Sequence, residues 1–241
     1  QIAVDHGLDD ALLECLVSHN ALIETFPIVH YLWQPVVVVT DPTALYGVAV
    51  GSDGYVVAVG AGGFNIHAAA NAAKPDGWAP GPTLNETYAV AAVDTVFVAC
   101  GAGSDNFVRS TDHGATWEAV ANPTEEMYAI SAGIGAGVVL AAGESGIVWR
   151  SFDSGASWAL ATPITGAPNV NGLTRCGDGI SVFAVLACAE NGHVYRTPNS
   201  GTLWIDATNA GTPLYAIAGW LLVVVAVGRS GKIIRSDDGG S

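Results

Sequence analysis

Charge is scarce in this chain of 241 residues. Only 12% of it is Asp, Glu, Lys or Arg, and eight residues are basic against twenty-two acidic, a formal net charge of −14. A surface of that sign repels phosphate backbones and anionic lipid, so a nucleic-acid partner and adsorption to anionic membrane are not expected. Long apolar runs are missing as well: residues 221–227 are uninterruptedly hydrophobic but are bounded by Gly219 and Gly228, far short of the ~20 residues that span a bilayer. No membrane span is therefore expected. The six histidines (6, 19, 30, 67, 113 and 193) stand at no ligand spacing from cysteine or carboxylate. Asp5, His6, Asp9 and Asp10 lack the glycine and distal glutamate of a calcium loop. A phosphate loop and a nucleophile elbow are also missing. Neither a metal nor a cofactor is expected.

What is abundant is hydrophobic residues, at 50%, and glycine, with 30 copies, a composition suited to short buried strands joined by tight turns. The chain repeats itself. Residues 109–117, RSTDHGATW, return at 150–158 as RSFDSGASW, at 196–204 as RTPNSGTLW, and at 235–241 as RSDDGGS. The arginines step by 41, 46 and 39 residues, the period of a propeller blade. Each copy predicts four strands. The inner ones begin at Leu45, Thr87, Met127, Asn171 and Leu214, and a second, unalternating apolar strand follows, as at residues 55–59 and 138–142, in the manner of strands buried on both faces. A glycine turn, a short third strand and the Ser-x-Asp-x-Gly turn come next, and Trp33, Trp78, Trp117, Trp158 and Trp204 open outer strands.

The predicted fold is all-β: a β-propeller of four-stranded blades, five in number, over residues 33–241. The strand after Trp33 is expected to complete the last blade and close the ring, removing exposed sheet edges. A larger ring with blades beyond Ser241 is the rival count. Residues 1–32 fall outside the repeat. Leu8, Leu12, Leu13, Leu16 and Val17 share one helical face there, predicting a helical lead-in that packs on the propeller or attaches it to something else. The first blade lacks a usable Ser-x-Asp-x-Gly turn after His67. Cys100 and Cys188 occupy the repeat position held elsewhere by Val59, Ala142 and Val227, which marks them as small buried residues with free thiols.

The turn with its trailing tryptophan resembles the Asp box, or BNR repeat, from about Trp33 to the end. Ser110, Asp112, Gly114 and Trp117 carry it, then Ser151, Asp153, Gly155 and Trp158, then Asn199, Gly201 and Trp204, then Ser236, Asp238 and Gly240. The resemblance implies that these residues are structural, the Ser and Asp side chains bonding backbone amides, and that the boxes face away from any ligand. Sialidases share such boxes, but they hold a substrate carboxylate with three arginines. Arg109, Arg150, Arg196 and Arg235 belong to the repeat, which leaves Arg175 and Arg229, so the triad cannot be made. Another glycosidase would need two converging carboxylates, and nothing in the spacing of Glu86, Glu125, Glu126, Glu144 and Glu190 selects a pair. No enzymatic activity is expected.

Binding remains. Loops at one rim of a propeller vary and recognise, and they supply Asn85, Glu86, Glu125, Glu126, Glu144, Asn169, Asn171, Glu190, Asn191 and Arg229 as candidates, with Asn65 and Asn106 at the glycine turns. Tyr46, Tyr88, Tyr128 and Tyr215 at the inner-strand starts suit sugar hydroxyls, although packing is the favoured role for them. The repeat also resembles the photosystem II stability and assembly factor family, which implies a scaffold that docks proteins. That family carries an arginine-rich patch for which this chain has no arginines to spare. Similar repeats occur in bacteriophage tail and fibre proteins. The expectation is a non-catalytic binding or structural propeller in a virion or extracellular surface assembly, with protein partners and a possible glycan ligand.

Overall fold

The computed structural model describes residues 44–69, 77–103, 106–121, 123–166, 169–178 and 181–241. Among these residues nineteen strands fall into five antiparallel sheets, each built from consecutive strands in chain order. Blade 1 is β1 (Leu45–Val50), β2 (Val56–Gly60), β3 (Asn65–Ala68) and β4 (Trp78–Pro80). Blade 2 is β5 (Thr87–Val93), β6 (Val96–Gly101), β7 (Phe107–Ser110) and β8 (Glu118–Ala121). Blade 3 is β9 (Met127–Ala132), β10 (Val139–Gly143), β11 (Val148–Ser151) and β12 (Ala159–Leu160). Blade 4 is β13 (Val170–Gly177), β14 (Val182–Ala189), β15 (His193–Thr197) and β16 (Ile205–Asn209). Blade 5 contributes β17 (Leu214–Trp220), β18 (Val223–Gly228) and β19 (Ile233–Ser236) among the described residues. The architecture is the β-propeller that the repeat predicts. The helical lead-in, the closing strand after Trp33 and the connection at 70–76 lie outside the described residues.

The second strand of each blade is apolar throughout, as suits a strand placed between neighbouring blades, and those of blades 2 and 3 are buried almost from end to end. Val57 and Val59 face Val90, Phe97, Ala99 and Val108 across the first blade boundary. Val98, Cys100 and Phe107 face Met127, Ile130, Val139 and Ala141 across the second. The third joins Leu140, Ala142 and Val148 to Val170, Val185 and Ala187, and the fourth joins Leu186, Cys188 and Val194 to Leu214, Val224 and Ala226. The core is thus a series of blade-to-blade layers rather than one central mass. Cys100, Cys176 and Cys188 are free and buried, and burial holds the Cys188 thiol up at about 12.

The recurring box is a turn held by its own side chains. Ser151 Oγ accepts from the Gly155 amide at 2.9 Å and donates to Asp153 Oδ1 at 2.7 Å, while Asp153 accepts from the Ser157 amide at 2.8 Å. Ser110 and Asp112 repeat the pattern toward Gly114 and Thr116, Thr197 and Asn199 toward Gly201 and Leu203, and Ser236 and Asp238 toward Gly240 and Ser241. Two successive residues turn left-handed, Ser154 at φ 55° and Gly155 at φ 83°, so a non-glycine residue shares the left-handed corner with the glycine. The indole Nε1 of Trp158 donates to the Gly155 carbonyl at 3.0 Å, and its ring stacks on Phe107 of the preceding blade, centroids 4.1 Å apart. The repeat arginines tie the blades in the other direction. Arg109 Nε donates to the Ser154 carbonyl at 3.0 Å, and Arg150 Nη1 to the Ser200 carbonyl at 3.1 Å, each reaching the box of the next blade.

Candidate binding rim

The turns between second and third strands lie beside the loops that enter the inner strands, and a recurring glycine sets that approach. A Cβ on Gly60 would stand 2.0 Å from the Ala44 carbonyl oxygen, on Gly101 1.9 Å from that of Glu86, on Gly143 2.0 Å from that of Glu126, and on Gly228 2.2 Å from that of Pro213. The next amide then donates to the same oxygen: Ala102 to Glu86, Glu144 to Glu126 and Arg229 to Pro213, each at 2.9 Å. Backbone packing thereby places Glu126 beside Glu144 and holds Glu86 at the rim.

Neighbouring blades are joined on this rim as well. Gly62 of blade 1 donates its amide to Glu86 Oε2 at 2.9 Å, and Ser145 of blade 3 donates to Asn169 Oδ1 at 3.4 Å. Asn169 Nδ2 donates in turn to Glu190 Oε2 at 3.1 Å. Asn171 spends its amide on the Leu214 carbonyl of blade 5, at 2.7 Å. Asn191 bonds the Gly166 carbonyl and the Tyr195 hydroxyl at 3.1 and 2.9 Å. Glu125 offers its carbonyl to the buried Asn106, which also holds the Pro123 carbonyl. Asn65 likewise turns inward to the Pro82 carbonyl. Asn65 and Asn106 are buried clasps for the entering loops, and the expectation that they face a ligand is corrected on that ground. Asn85 accepts from Thr87 Oγ1 through its carbonyl at 2.8 Å, and its side chain lies against Gly103. Arg229 Nε reaches the Tyr215 hydroxyl at 3.3 Å.

The tyrosines form the feature that sequence reasoning underweighted. Tyr46, Tyr88, Tyr128 and Tyr215 are second in β1, β5, β9 and β17, and Asn171 holds that place in β13. Tyr46 and Tyr88 lie with centroids 6.1 Å apart, Tyr88 and Tyr128 5.7 Å apart, both pairs tilted. None of the four is fully buried: Tyr88 and Tyr128 are half-buried, Tyr46 and Tyr215 exposed. Burial raises the Tyr128 phenol to about 12, helped by its hydrogen bond to Glu126 at 3.2 Å and by the charges of Glu126 and Glu144. Burial, then Glu126 and Glu86, raise Tyr88 in the same sense. Both phenols are therefore neutral donors at ordinary pH, set among three carboxylates. A repeat position that keeps a hydroxyl in four blades and an amide in the fifth was the signal available in the sequence.

A second concavity, of about 480 Å³, opens on blade 4 and includes Thr162, Asn191, His193, Tyr195, Trp204 and Asp206. His193 Nδ1 meets Asp206 Oδ2 at 2.8 Å there, and its ring stacks on Tyr195. Among the described residues no cluster of His, Cys, Asp and Glu is arranged to hold a metal ion, and no helix is long and apolar enough to cross a membrane.

No family model matches the chain, and no curated protein matches it either. Solved structures do. A chain of a nidogen/laminin complex superposes with a TM-score of 0.66 at 11% identity, covering 82% of this chain and 77% of that one. YCF48 bound to a D1 peptide gives 0.62 at 16%, covering 86% and 70%. YCF48 from Cyanidioschyzon merolae gives 0.59 at 17%, covering 83% and 68%. At these identities the likeness is one of fold.

Proposed function

We propose that this chain is a non-catalytic binding propeller whose inner rim docks a basic segment of a protein partner. The observation that carries the proposal is the Tyr46–Tyr88–Tyr128 row with Glu86, Glu126 and Glu144 around it. Aromatic faces and carboxylates together suit Lys and Arg side chains, through cation–π attraction and charge-assisted hydrogen bonds. The acidic total charge favours the encounter with such a segment. One solved neighbour of the same fold is bound to a peptide and another comes from a protein complex, which supports protein docking as a use of this architecture. The low charge and Ala/Val/Gly-rich composition support a setting in a virion or other surface assembly.

The test is a peptide array probed with the full chain, followed by titration calorimetry on the strongest sequences. Basic peptides should bind, and acidic permutations should not. Glu126→Gln and Tyr88→Ala should each weaken binding about tenfold, roughly 1.4 kcal/mol, and added salt should weaken it further. Binding indifferent to both substitutions would defeat the proposal. A glycan is the second possibility, favoured by the blade 4 concavity, where Trp204, His193 and Asp206 combine ring faces with polar groups. A glycan-array signal lost on Asp206→Ala, with a silent peptide array, would decide for it.

A further inference from the structure

His193 opens β15, and its ring is held on both nitrogens by the outer strand β16. Nδ1 lies 2.8 Å from Asp206 Oδ2, and Nε2 lies 2.8 Å from Asn209 Nδ2. The two partners are three residues apart in sequence, a spacing that puts them on opposite faces of a regular strand. A bulge brings them together: Val194 pairs with Thr208 but Tyr195 with Asp206, so one extra residue enters β16 between them. Within the repeat this arrangement belongs to blade 4. The counterparts of Asp206 in blades 1, 2 and 3 are Pro80, Ala119 and Leu160, and those of His193 are Phe64, Asn106 and Ile147.

The donors and acceptors around the ring fix its proton. The Gly211 amide donates to Asn209 Oδ1 at 2.7 Å, so the group that Asn209 turns to the ring is its NH2. Nε2 must then accept, which leaves the single proton of a neutral imidazole on Nδ1, where it is donated to Asp206. The ring also stacks on Tyr195, whose hydroxyl accepts from Asn191 Nδ2 at 2.9 Å, and the His193 amide donates to Asn191 Oδ1 at 3.2 Å. Among the described residues, Asp206 and Tyr195 are the titratable groups in contact with the ring. Glu190, on the turn before β15, accepts from Asn169.

A second proton cannot enter this arrangement unchanged. Histidine changes charge between about pH 5 and 8, and the added proton goes to Nε2. The contact to Asp206 then becomes charge-assisted, but Nε2–H and the Asn209 NH2 stand donor against donor. Asn209 has two ways out: it withdraws, or it turns its amide over to offer Oδ1 to the ring. Either one moves Oδ1 off the Gly211 amide.

We propose that His193 is a proton-operated latch on the connection from blade 4 to blade 5. Neutral, it holds Asn209 and through it the turn at Gly211; protonated, it keeps Asp206 and lets that turn go. The connection runs on to Pro213 and Leu214, whose carbonyls hold the Arg229 amide and the Asn171 side chain. The latch thus sits where blades 4 and 5 are joined at the rim. It also forms part of the wall of the blade 4 concavity, which is therefore shaped one way at neutral pH and another in acid. The latch is independent of what the rim docks.

The test is NMR on the 15N- and 13C-labelled full chain from about pH 8 to pH 5, with His193→Gln identifying the His193 ring signals by their loss. At the upper end the ring should be the Nδ1–H tautomer, with Nε2 bare. On acidification the Gly211 amide signal should shift with the same midpoint as the ring. Its exchange with water, corrected for the intrinsic pH dependence, should rise about tenfold. In Asn209→Ala that amide should exchange fast at both ends of the range, and in His193→Gln it should stay protected throughout. Asn209 is exposed and His193 half-buried, and unchanged amide signals from blades 2 and 3 would show that each variant keeps the fold. An Nε2–H ring at the upper end would overturn the proposal. So would a Gly211 amide that ignores the ring's midpoint, or one that still titrates in His193→Gln, which would put the switch on another group.

Discussion

Asp153 shows how a charged residue can serve structure rather than chemistry. Hydrogen bonds from the Ser157 hydroxyl and amide and from Ser151 lower its carboxyl to about 2, below the ordinary value of ~3.9. A carboxylate depressed on folding contributes stability that is complete above its unfolded value and is lost as pH falls through the folded one. The box should therefore weaken between about pH 4 and pH 2. Asp112 and Asp238 are lowered as well; for Asp112 burial acts the other way and the hydrogen bonds from Thr116 and Ser110 outweigh it. Thermal melts across that window should show a smaller acid-side loss in Asp153→Asn than in the native chain. Solvent screening at this open site keeps the difference modest. At neutral pH Asp153→Ala should cost about 1 kcal/mol, the scale of a lost capping interaction.

At the scale of the element, the strand-ending glycine joins fold to site. Gly143 lets the end of β10 approach the loop before β9 so closely that no Cβ fits, and the same approach fixes the Glu144 amide on the Glu126 carbonyl. Gly143→Ala should destabilise the protein by about 1–3 kcal/mol, the range for overpacking, as read by denaturant unfolding. It should also weaken peptide binding, because it displaces two of the three carboxylates around the tyrosine row. Blade 4 carries Ala189 at this position, yet the Glu190 amide still reaches the Asn169 carbonyl at 3.0 Å. Val170 pairs with Ala189 with the same register shift that the other four blades show at this place, so the rim hydrogen bond is kept with a Cβ present.

For the whole molecule, stability resides in layers between blades, so a cavity in one layer is felt across two sheets. Leu140 is fully buried in the layer between blades 3 and 4, and its side chain also lies against the glycine of the blade 4 box at Gly201. Leu140→Ala should cost about 2–5 kcal/mol in denaturant unfolding. The slope of the transition should be unchanged if the blades melt as one unit. An altered slope would show that blades 1 and 2 can persist without their neighbours.

The blade period, the four-strand unit, the box turns and the buried placement of Cys100 and Cys188 were determined by the sequence alone. Local rules write these features: left-handed corners call for glycine, side-chain acceptors satisfy turn amides, and strands covered on both faces must be apolar throughout. Which groups meet was decided only by the tertiary structure. Asn65 and Asn106 turn inward, Arg109 and Arg150 brace the next blade, and Tyr88 and Tyr128 gather Glu86, Glu126 and Glu144 at the rim. Those meetings depend on how one blade is set against the next, on a loop approach with no room for a Cβ, and on which repeat positions find a neighbour.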